Sequence, residues 1–547
     1  MPAVRVAMAQ INPTVGDIEG NSAKIVDFTK RAQAQNSKIV LFPELALSGY
    51  PIEDLALSAD FLTASEQALK ELATRLQSEG LGQLFVVVGF PGLAPNPSKW
   101  AIGQNKAAVI FDGKVSASYA KHHLPNYSVF DEYRVFVPGT DLLTFEVDGL
   151  KFATVICEDI WQSGGPVGQI SASAVDLTLV LNGSPFERSK TDSRLSLVQA
   201  MSRDQKTAIA YVNLVGGQDD LVFDGNSFVV NAHGEEIVRG QLFAEDLVVF
   251  EIESKNTISS VSPTIDQSSD IEQVWNALVL GLSDYVRKND FKSVILGLSG
   301  GIDSAVCASI AVDALGAEKV FGIAMPSKYS SEHSLADARE LASRTGLPFS
   351  VESIEPMVAT AMDQLKLEGL AAENLQARVR AVILMGMSNQ NGHLVLTTGN
   401  KTELAVGYST IYGDSVGGFA PLKDVEKTLV WELAKYRNAL AAKNGQTPPI
   451  PESSITKPPS AELRPGQTDQ DSLPDYEVLD EVLELFIEQR LSSSEIVSRG
   501  FDRELVGSVL KLVKGSEWKR RQGAIGPRIT KLAFGRERRL PITNRFS

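Results

Sequence analysis

Apolar positions along the chain fall into two alternating spacings. Short runs dense in β-branched residues occur at 38–42 (KIVLF), 84–90 (LFVVVGF), 106–111 (KAAVIF), 151–156 (KFATVI), 177–181 (LTLVL) and 207–213 (TAIAYVN), and each predicts a buried strand. Between them, apolar residues three and four apart over 63–79 and 190–206 predict amphipathic helices. Such alternation defines an α/β protein with sheets buried on at least one face. No repeat of solenoid or propeller period interrupts it.

The polar, turn-rich stretch EIESKNTISSVSPTIDQSSD at 251–270 breaks the pattern, and a new helical pattern, IEQVWNALVLGLSDYVRKN, follows it. A chain of 547 residues is too long for one ordinary core. The reading is therefore a first domain at 1–255, a linker at 256–270 and a second domain at 271–547. Within the second, TPPIPESSITKPPSAELRPGQTDQDSLP at 447–474 is too long and polar for a simple connector and predicts a mobile loop.

Composition narrows the class. The chain is 43% hydrophobic and 22% charged, as soluble globular proteins are, with no run of eighteen apolar residues and no apolar signal segment in MPAVRVAMAQINP. A soluble cytoplasmic protein is expected. Two cysteines without a CxxC, and five histidines, argue against a disulfide framework or structural zinc. The net charge of −15 argues against nucleic-acid and membrane partners. Residues 511–547 break this balance with eleven Lys or Arg against two Glu, and charge alone reads them as a solvated tail.

Two stretches carry candidate chemistry. In SVILGLSGGIDSAV, 293–306, an apolar strand runs into a tight glycine turn and then a helix beginning near Ser304. Backbone N–H groups and the helix N-terminus can cradle phosphate there. The spacing is not that of a Walker A loop. In KFATVICEDIW, 151–161, a strand ends abruptly at Cys157. A free thiol has a pKa of about 8.5, so a nucleophile there needs a base or an electropositive setting.

The glycine turn resembles the pyrophosphate loop of ATP pyrophosphatases. That resemblance implies ATP bound along Gly297, Leu298, Ser299, Gly300, Gly301, Ile302, Asp303 and Ser304, cleavage between its α and β phosphates, and Mg²⁺ near Asp303. Cys307, one turn on, reads as a packed core residue. ENLQARVRAVILM (373–385), LVLTTGNKTELAVGYSTIYGDSVGGFAPLKDVEKT (394–428) and PSKYSSEHS (326–334) are similar to NAD synthetases. The similarity implies that Thr398 meets ATP, that Glu403 serves the deamido-NAD or metal side, and that Asn374 and Lys519 contact the dinucleotide. Taken singly, Glu403 reads equally as a helix cap and Asn374 as a surface residue.

In the first domain, IVLFPELALSGYP with Glu44, YAKHHLPNYSVFDEYRVFVPG with Lys121, and the strand ending at Cys157 together resemble the nitrilase superfamily, in its order, over roughly 1–255. The implied fold is an αββα sandwich, followed by a Rossmann-like ATP-pyrophosphatase domain with a parallel sheet. The implied roles are Glu44 as general base, Cys157 as nucleophile and Lys121 as oxyanion partner, with Glu132 orienting Lys121 and Tyr127, Ser184 and Lys190 lining a glutamine pocket. His122 and His123 suggest a Cys–His pair instead, but no Asn or Asp partner accompanies them.

Together the resemblances imply ATP-dependent amidation of deamido-NAD⁺ through an adenylate, with ammonia from glutamine, small-molecule substrates only, and a homo-oligomer. One competing reading is an amidase fused to an ATP pyrophosphatase that amidates another carboxylate or a nucleobase. A more distant one is nucleic-acid binding by the basic stretch, which would show a steep salt dependence.

Overall fold

The computed structural model describes residues 3–188, 190–263 and 268–545, and the chain forms two compact units. The first holds the described residues up to Gln218 together with Val222–Ser268. The second holds Asp219–Leu221 and the residues from Ser269 onward.

Two large sheets build the sandwich of the first unit. One has seven strands in the spatial order Thr257–Ser260, Asp246–Ser254, Val4–Gln10, Ile39–Leu41, Phe85–Leu93, Gly103–Phe111 and Lys114–Ala120. The other has six, in the order Glu236–Arg239, Phe228–Val230, Ala208–Asn213, Leu177–Asn182, Leu150–Ile156 and Leu143–Val147. The period of two places residues on opposite faces. Val4, Val6 and Met8 share a core with Phe152, Val155 and Val180 of the second sheet. Ala7 and Ala9 of the same strand face outward, onto Val26 and Phe28 of helix Ile18–Ala34 and Leu69 and Leu72 of helix Ala59–Ser78. Helix Lys190–Gln205 adds Val198 and Met201 to the second sheet. The layers are helices, sheet, sheet, helix: the expected αββα sandwich.

The linker reading at 256–270 needs correction at its start. Thr257–Ser260 is an edge strand paired antiparallel with Asp246–Ser254, because the polar stretch still contains β-forming Thr and Ile behind a two-residue turn. Residues 264–267 of that stretch lie outside the described residues.

The second unit centres on four parallel strands in the order Phe349–Val351, Val320–Ala324, Val294–Gly297 and Leu394–Val395. By chain order this is 3-2-1-4, so the direction of winding reverses between Val294–Gly297 and Leu394–Val395. A crevice opens at the carboxyl ends of the strands at such a switch point. Beyond the sheet, Ala405, Leu479, Val482, Val506, Val509, Leu532 and Phe534 build a helical core. The basic stretch as far as Phe534 is folded into it, while residues 541–545 are exposed. Arg520 donates to Ala405 O (2.7 Å) and Val513 O (2.6 Å), and Arg528 pairs with Glu537 at 2.5 Å. No helix among the described residues is long and apolar enough to cross a membrane.

Candidate active sites

In the first unit the strand Ile39–Leu41 runs into a turn carrying Glu44, with Leu45 left-handed at φ +48°. Gly89 lets the next strand pass this turn: a Cβ there would lie 2.3 Å from Leu45 N. Lys121 follows directly on Lys114–Ala120, and its N–H is fixed by Asn105 O at 2.9 Å. Its Nζ donates to Glu44 Oε1 at 2.7 Å and to Glu132 Oε1 at 2.9 Å, with Glu132 Oε2 at 2.8 Å. Asn105 Nδ2 also donates to Glu44 Oε1 (2.7 Å), the Gly183 N–H donates to Glu44 Oε2 (2.9 Å), and the Tyr50 hydroxyl donates to Glu132 Oε1 (3.0 Å).

Glu44, Lys121 and Glu132 are all buried. Burial alone would push the Lys121 ammonium down, but Glu132 and Glu44 outweigh it and hold it well above the ordinary lysine value.

Cys157 ends the strand Leu150–Ile156 and opens a one-turn helix, Cys157–Ile160, with φ +43°. The left-handed region costs a non-glycine residue about 1–2 kcal/mol. Asp159 holds the turn: its Oδ2 accepts the Ile156 N–H (3.0 Å) and the Tyr119 hydroxyl (2.7 Å), and its Oδ1 accepts the His122 and His123 N–H groups (3.0 and 2.8 Å). One buried carboxylate thus ties the Cys157 turn to the segment that carries Lys121. Burial pushes the thiol pKa well up, Glu44 pushes it further, and Lys121 opposes both. The His122 ring turns away to Gly139 O, with Nδ1 2.6 Å from it.

Of the expected pocket residues, Tyr127 donates to Glu158 Oε2 at 2.8 Å, beside Cys157, and Ser184 is buried next to the Gly183 that bonds Glu44. Lys190 stands half-buried at the start of helix Lys190–Gln205.

In the second unit the glycine turn leaves strand Val294–Gly297 at the switch point, and its helix, Ile302–Leu315, begins two residues earlier than the sequence suggests. Gly300 is left-handed (φ +76°) and passes so close to Ser334 that a Cβ would sit 2.2 Å from its carbonyl oxygen. Ser304 Oγ donates to Gly301 O (3.0 Å), Gly301 N–H donates to Ser299 Oγ (3.2 Å), and no side chain caps the helix N-terminus. Cys307 is fully buried, as expected of a core residue.

The loop from the neighbouring strand Leu394–Val395 carries half-buried Thr398 and then Asn400, whose Nδ2 reaches Asp303 Oδ1 at 2.8 Å. Glu403 is a helix cap: its N–H donates to Asn400 Oδ1 (2.9 Å) and its Oε2 accepts the Asn400 N–H (3.2 Å). Its other oxygen, Oε1, lies 3.6 Å from Lys427 Nζ, which also stands 2.5 Å from Asp303 Oδ2. Burial and the charge of Asp303, opposed by Lys427, push the Glu403 carboxyl up to about 8. Capping and a place beside Asp303 are therefore held by the same side chain.

Asn374 is half-buried and accepts from Thr410 Oγ1 (2.9 Å), while Lys519 Nζ donates to Gly407 O and Ser409 O (both 2.8 Å). Residues 145 positions apart in the chain thus meet one short loop, 407–410.

The 447–474 segment is not a bare loop. It carries helix Glu452–Thr456, Ser454 Oγ donates to Gly300 O (3.0 Å), and Asp469 accepts from the Tyr408 and Tyr476 hydroxyls (3.1 and 2.7 Å). Asn105, Asp159, Asn400 and Lys427 are the partners that sequence reading missed. Only Asn400 left a signal, an Asn three residues before a Glu.

Comparison with known families agrees with this division. Residues 5–260 match the carbon–nitrogen hydrolase family and residues 274–523 match NAD synthase. Fold and site together define an ATP-using amidating enzyme with its own amidohydrolase unit. The glutamine-dependent NAD(+) synthetase of Acinetobacter baylyi is 47% identical over 100% of this chain and 99% of its own length. That of Aquifex aeolicus is 43% identical over 99% of this chain and 100% of its own. The glutamine-dependent NAD+ synthetase of Acinetobacter baumannii, solved with ADP, is 44% identical with a TM-score of 0.78, and the match covers 99% of each chain. The chain belongs to the glutamine-dependent NAD(+) synthetase family.

Proposed function

We propose that the chain makes NAD⁺ from deamido-NAD⁺, ATP and glutamine, with the two centres dividing the work. The observation that supports the first half is the buried Lys121 held 2.7 Å from Glu44 on the segment that Asp159 ties to the Cys157 turn. A carboxylate offers about four lone-pair sites. Lys121 and Asn105 take both on Glu44 Oε1 and Gly183 takes one on Oε2, so the remaining Oε2 site receives the Cys157 proton. The thiol is protonated at neutral pH, so attack on the glutamine amide carbon is coupled to that transfer. The Lys121 ammonium and a backbone N–H near Cys157 meet the oxyanion. Glu44 returns that proton to the departing nitrogen as the C–N bond breaks, so ammonia leaves and a thioester remains on Cys157. Glu44 then takes a proton from the water that attacks the thioester carbonyl, the C–S bond breaks, the sulfur recovers the proton from Glu44, and glutamate leaves. Tyr127, Ser184 and Lys190 line the glutamine pocket.

In the second unit the turn Gly297–Ser304 holds the β and γ phosphates of ATP, and Thr398 borders the nucleotide. The nicotinate carboxylate attacks the α phosphorus, pyrophosphate leaves, and ammonia displaces AMP from the adenylate. Asn374, Glu403 and Lys519 serve the dinucleotide. Asp303 and Glu403 are hard oxygen donors beside the phosphate turn, which fits Mg²⁺, an ion that takes one or two carboxylates plus substrate phosphates. When bound, Mg²⁺ would neutralise phosphate charge. Homo-oligomeric assembly and a cytoplasmic location belong to the same reading, checked by light scattering and cell fractionation. The deciding experiment is a product assay: with ATP, Mg²⁺ and glutamine, AMP should appear only when deamido-NAD⁺ is added. Release with another carboxylate or nucleobase instead would favour the competing amidation.

A further inference from the structure

The structure assigns Arg194, Asp224 and Asn213 as a positioning clamp that sets the turn 183–185, and through it both the glutamine pocket and the general base. This deepens the proposed function and rests on its reading of Ser184 and Glu44. Arg194 is 2% exposed and Asp224 0%, and the guanidinium Nη1 donates to both Asp224 oxygens, at 2.8 and 2.7 Å. The rest of the fork faces the turn: Nη2 donates to Ser184 O (3.0 Å) and Pro185 O (2.7 Å), and Nε donates to Ser184 Oγ (3.1 Å). Asn213, at the end of strand Ala208–Asn213, completes it. Its Oδ1 accepts the Ser184 N–H (2.9 Å), and its Nδ2 donates to Ser184 O (3.1 Å) and Asp224 Oδ1 (3.3 Å).

The backbone N–H, the carbonyl and the hydroxyl of Ser184 are therefore all held by the clamp. The preceding residue cannot move independently of it. Gly183 donates its N–H to Glu44 Oε2 (2.9 Å), and a Cβ on Gly183 would lie 2.8 Å from the Tyr50 ring, whose hydroxyl orients Glu132. A planar five-donor fork is suited to this task and an ammonium is not, because one Lys nitrogen cannot span two carbonyls, a hydroxyl and a carboxylate. Stability alone does not call for such an array, since a buried ion pair is often no better than apolar packing of the same volume. Its geometry instead converts burial into a fixed turn.

The test measures the glutamine KM and kcat of the full chain, alongside ammonia-supported synthesis and the thermal midpoint, for Arg194→Gln, Arg194→Lys and Asp224→Asn. A misplaced turn should raise the glutamine KM about ten- to a hundredfold in Arg194→Gln, with Arg194→Lys and Asp224→Asn intermediate and the ammonia-supported rate unchanged. A merely structural role would lower the midpoint and the active fraction while leaving KM alone. A KM within about twofold of the parent in folded Arg194→Gln overturns the clamp. If that variant fails to fold, Arg194→Lys decides by the same criterion. A parent without glutamine-supported turnover overturns the reading of the pocket itself, and the clamp with it.

Discussion

Lys427 Nζ stands 2.5 Å from Asp303 Oδ2, joining the helix that follows the phosphate turn to a helix more than a hundred residues later in the chain. Asn400 holds the other Asp303 oxygen at 2.8 Å. Asp303→Asn keeps the shape and removes the charge that Lys427 faces. It should lower synthesis about a hundredfold or more with either glutamine or ammonia as nitrogen source, measured as NAD⁺ formed per mole of enzyme.

Cys157→Ala should separate the centres. Glutamine-supported synthesis is lost, while ammonia-supported synthesis stays near the parent rate. Loss of both in a folded variant would refute the division of labour.

The raised thiol pKa predicts how Cys157 reacts with an alkylating agent. Burial first, and then Glu44, hold the sulfur protonated, so inactivation by iodoacetamide should climb steadily with pH through 8.5 without the neutral plateau of a preformed thiolate. A plateau below pH 7 would mean an ion-paired cysteine and a different activation.

Lys121 is the single cation between Glu44 and Glu132 in the buried cluster described above. Lys121→Ala leaves two carboxylates facing each other without compensation, a change that costs about 3–5 kcal/mol for a buried pair. The expected result is a clear drop in the thermal midpoint together with loss of glutamine hydrolysis. Glu132→Gln, which spares the cation, should lose much less stability.

Glu426 supplies a pH test in the second unit. Burial pushes its carboxyl up to about 7, Lys401 opposes, and Asp480, Glu488 and Asp424 add to the rise. Its folded value lies above its unfolded value, so the folded state binds more protons in between. The stabilising contribution is full below about pH 4.5 and is lost as pH rises through 7, a change of about 3 kcal/mol at most. The midpoint should fall between pH 5 and 8, and Glu426→Gln should flatten that fall. An equal slope in both proteins would remove Glu426 as the cause.

How much of this was legible in the sequence depended on range. The strands around 151–156 and 177–181 and the helix over 190–206 were legible because apolar periodicity is local and survives in the folded state nearly unchanged. The edge strand Thr257–Ser260 was not, because a half-exposed edge lacks an apolar run and is recognised only by the ladder it joins. Lys427 had no signal either: nothing in its neighbourhood marks a lysine that will lie beside Asp303.

The sequence by itself determined the element types, the two-unit organisation, and which residues could carry chemistry: a thiol at a strand end, an acid, a lysine and a glycine turn. It did so because those choices follow from short-range pattern and residue type. Only the tertiary structure decided their electrostatic state. Lys121 stays charged because Glu44 and Glu132 stand 2.7 and 2.9 Å from its ammonium, the Cys157 thiol stays protonated because burial and the charge of Glu44 oppose its ionisation, and Glu403 is both a cap and a neighbour of Asp303 because two strands meet at a switch point. Charge energies depend on distance and dielectric, and neither is written in the order of residues along the chain.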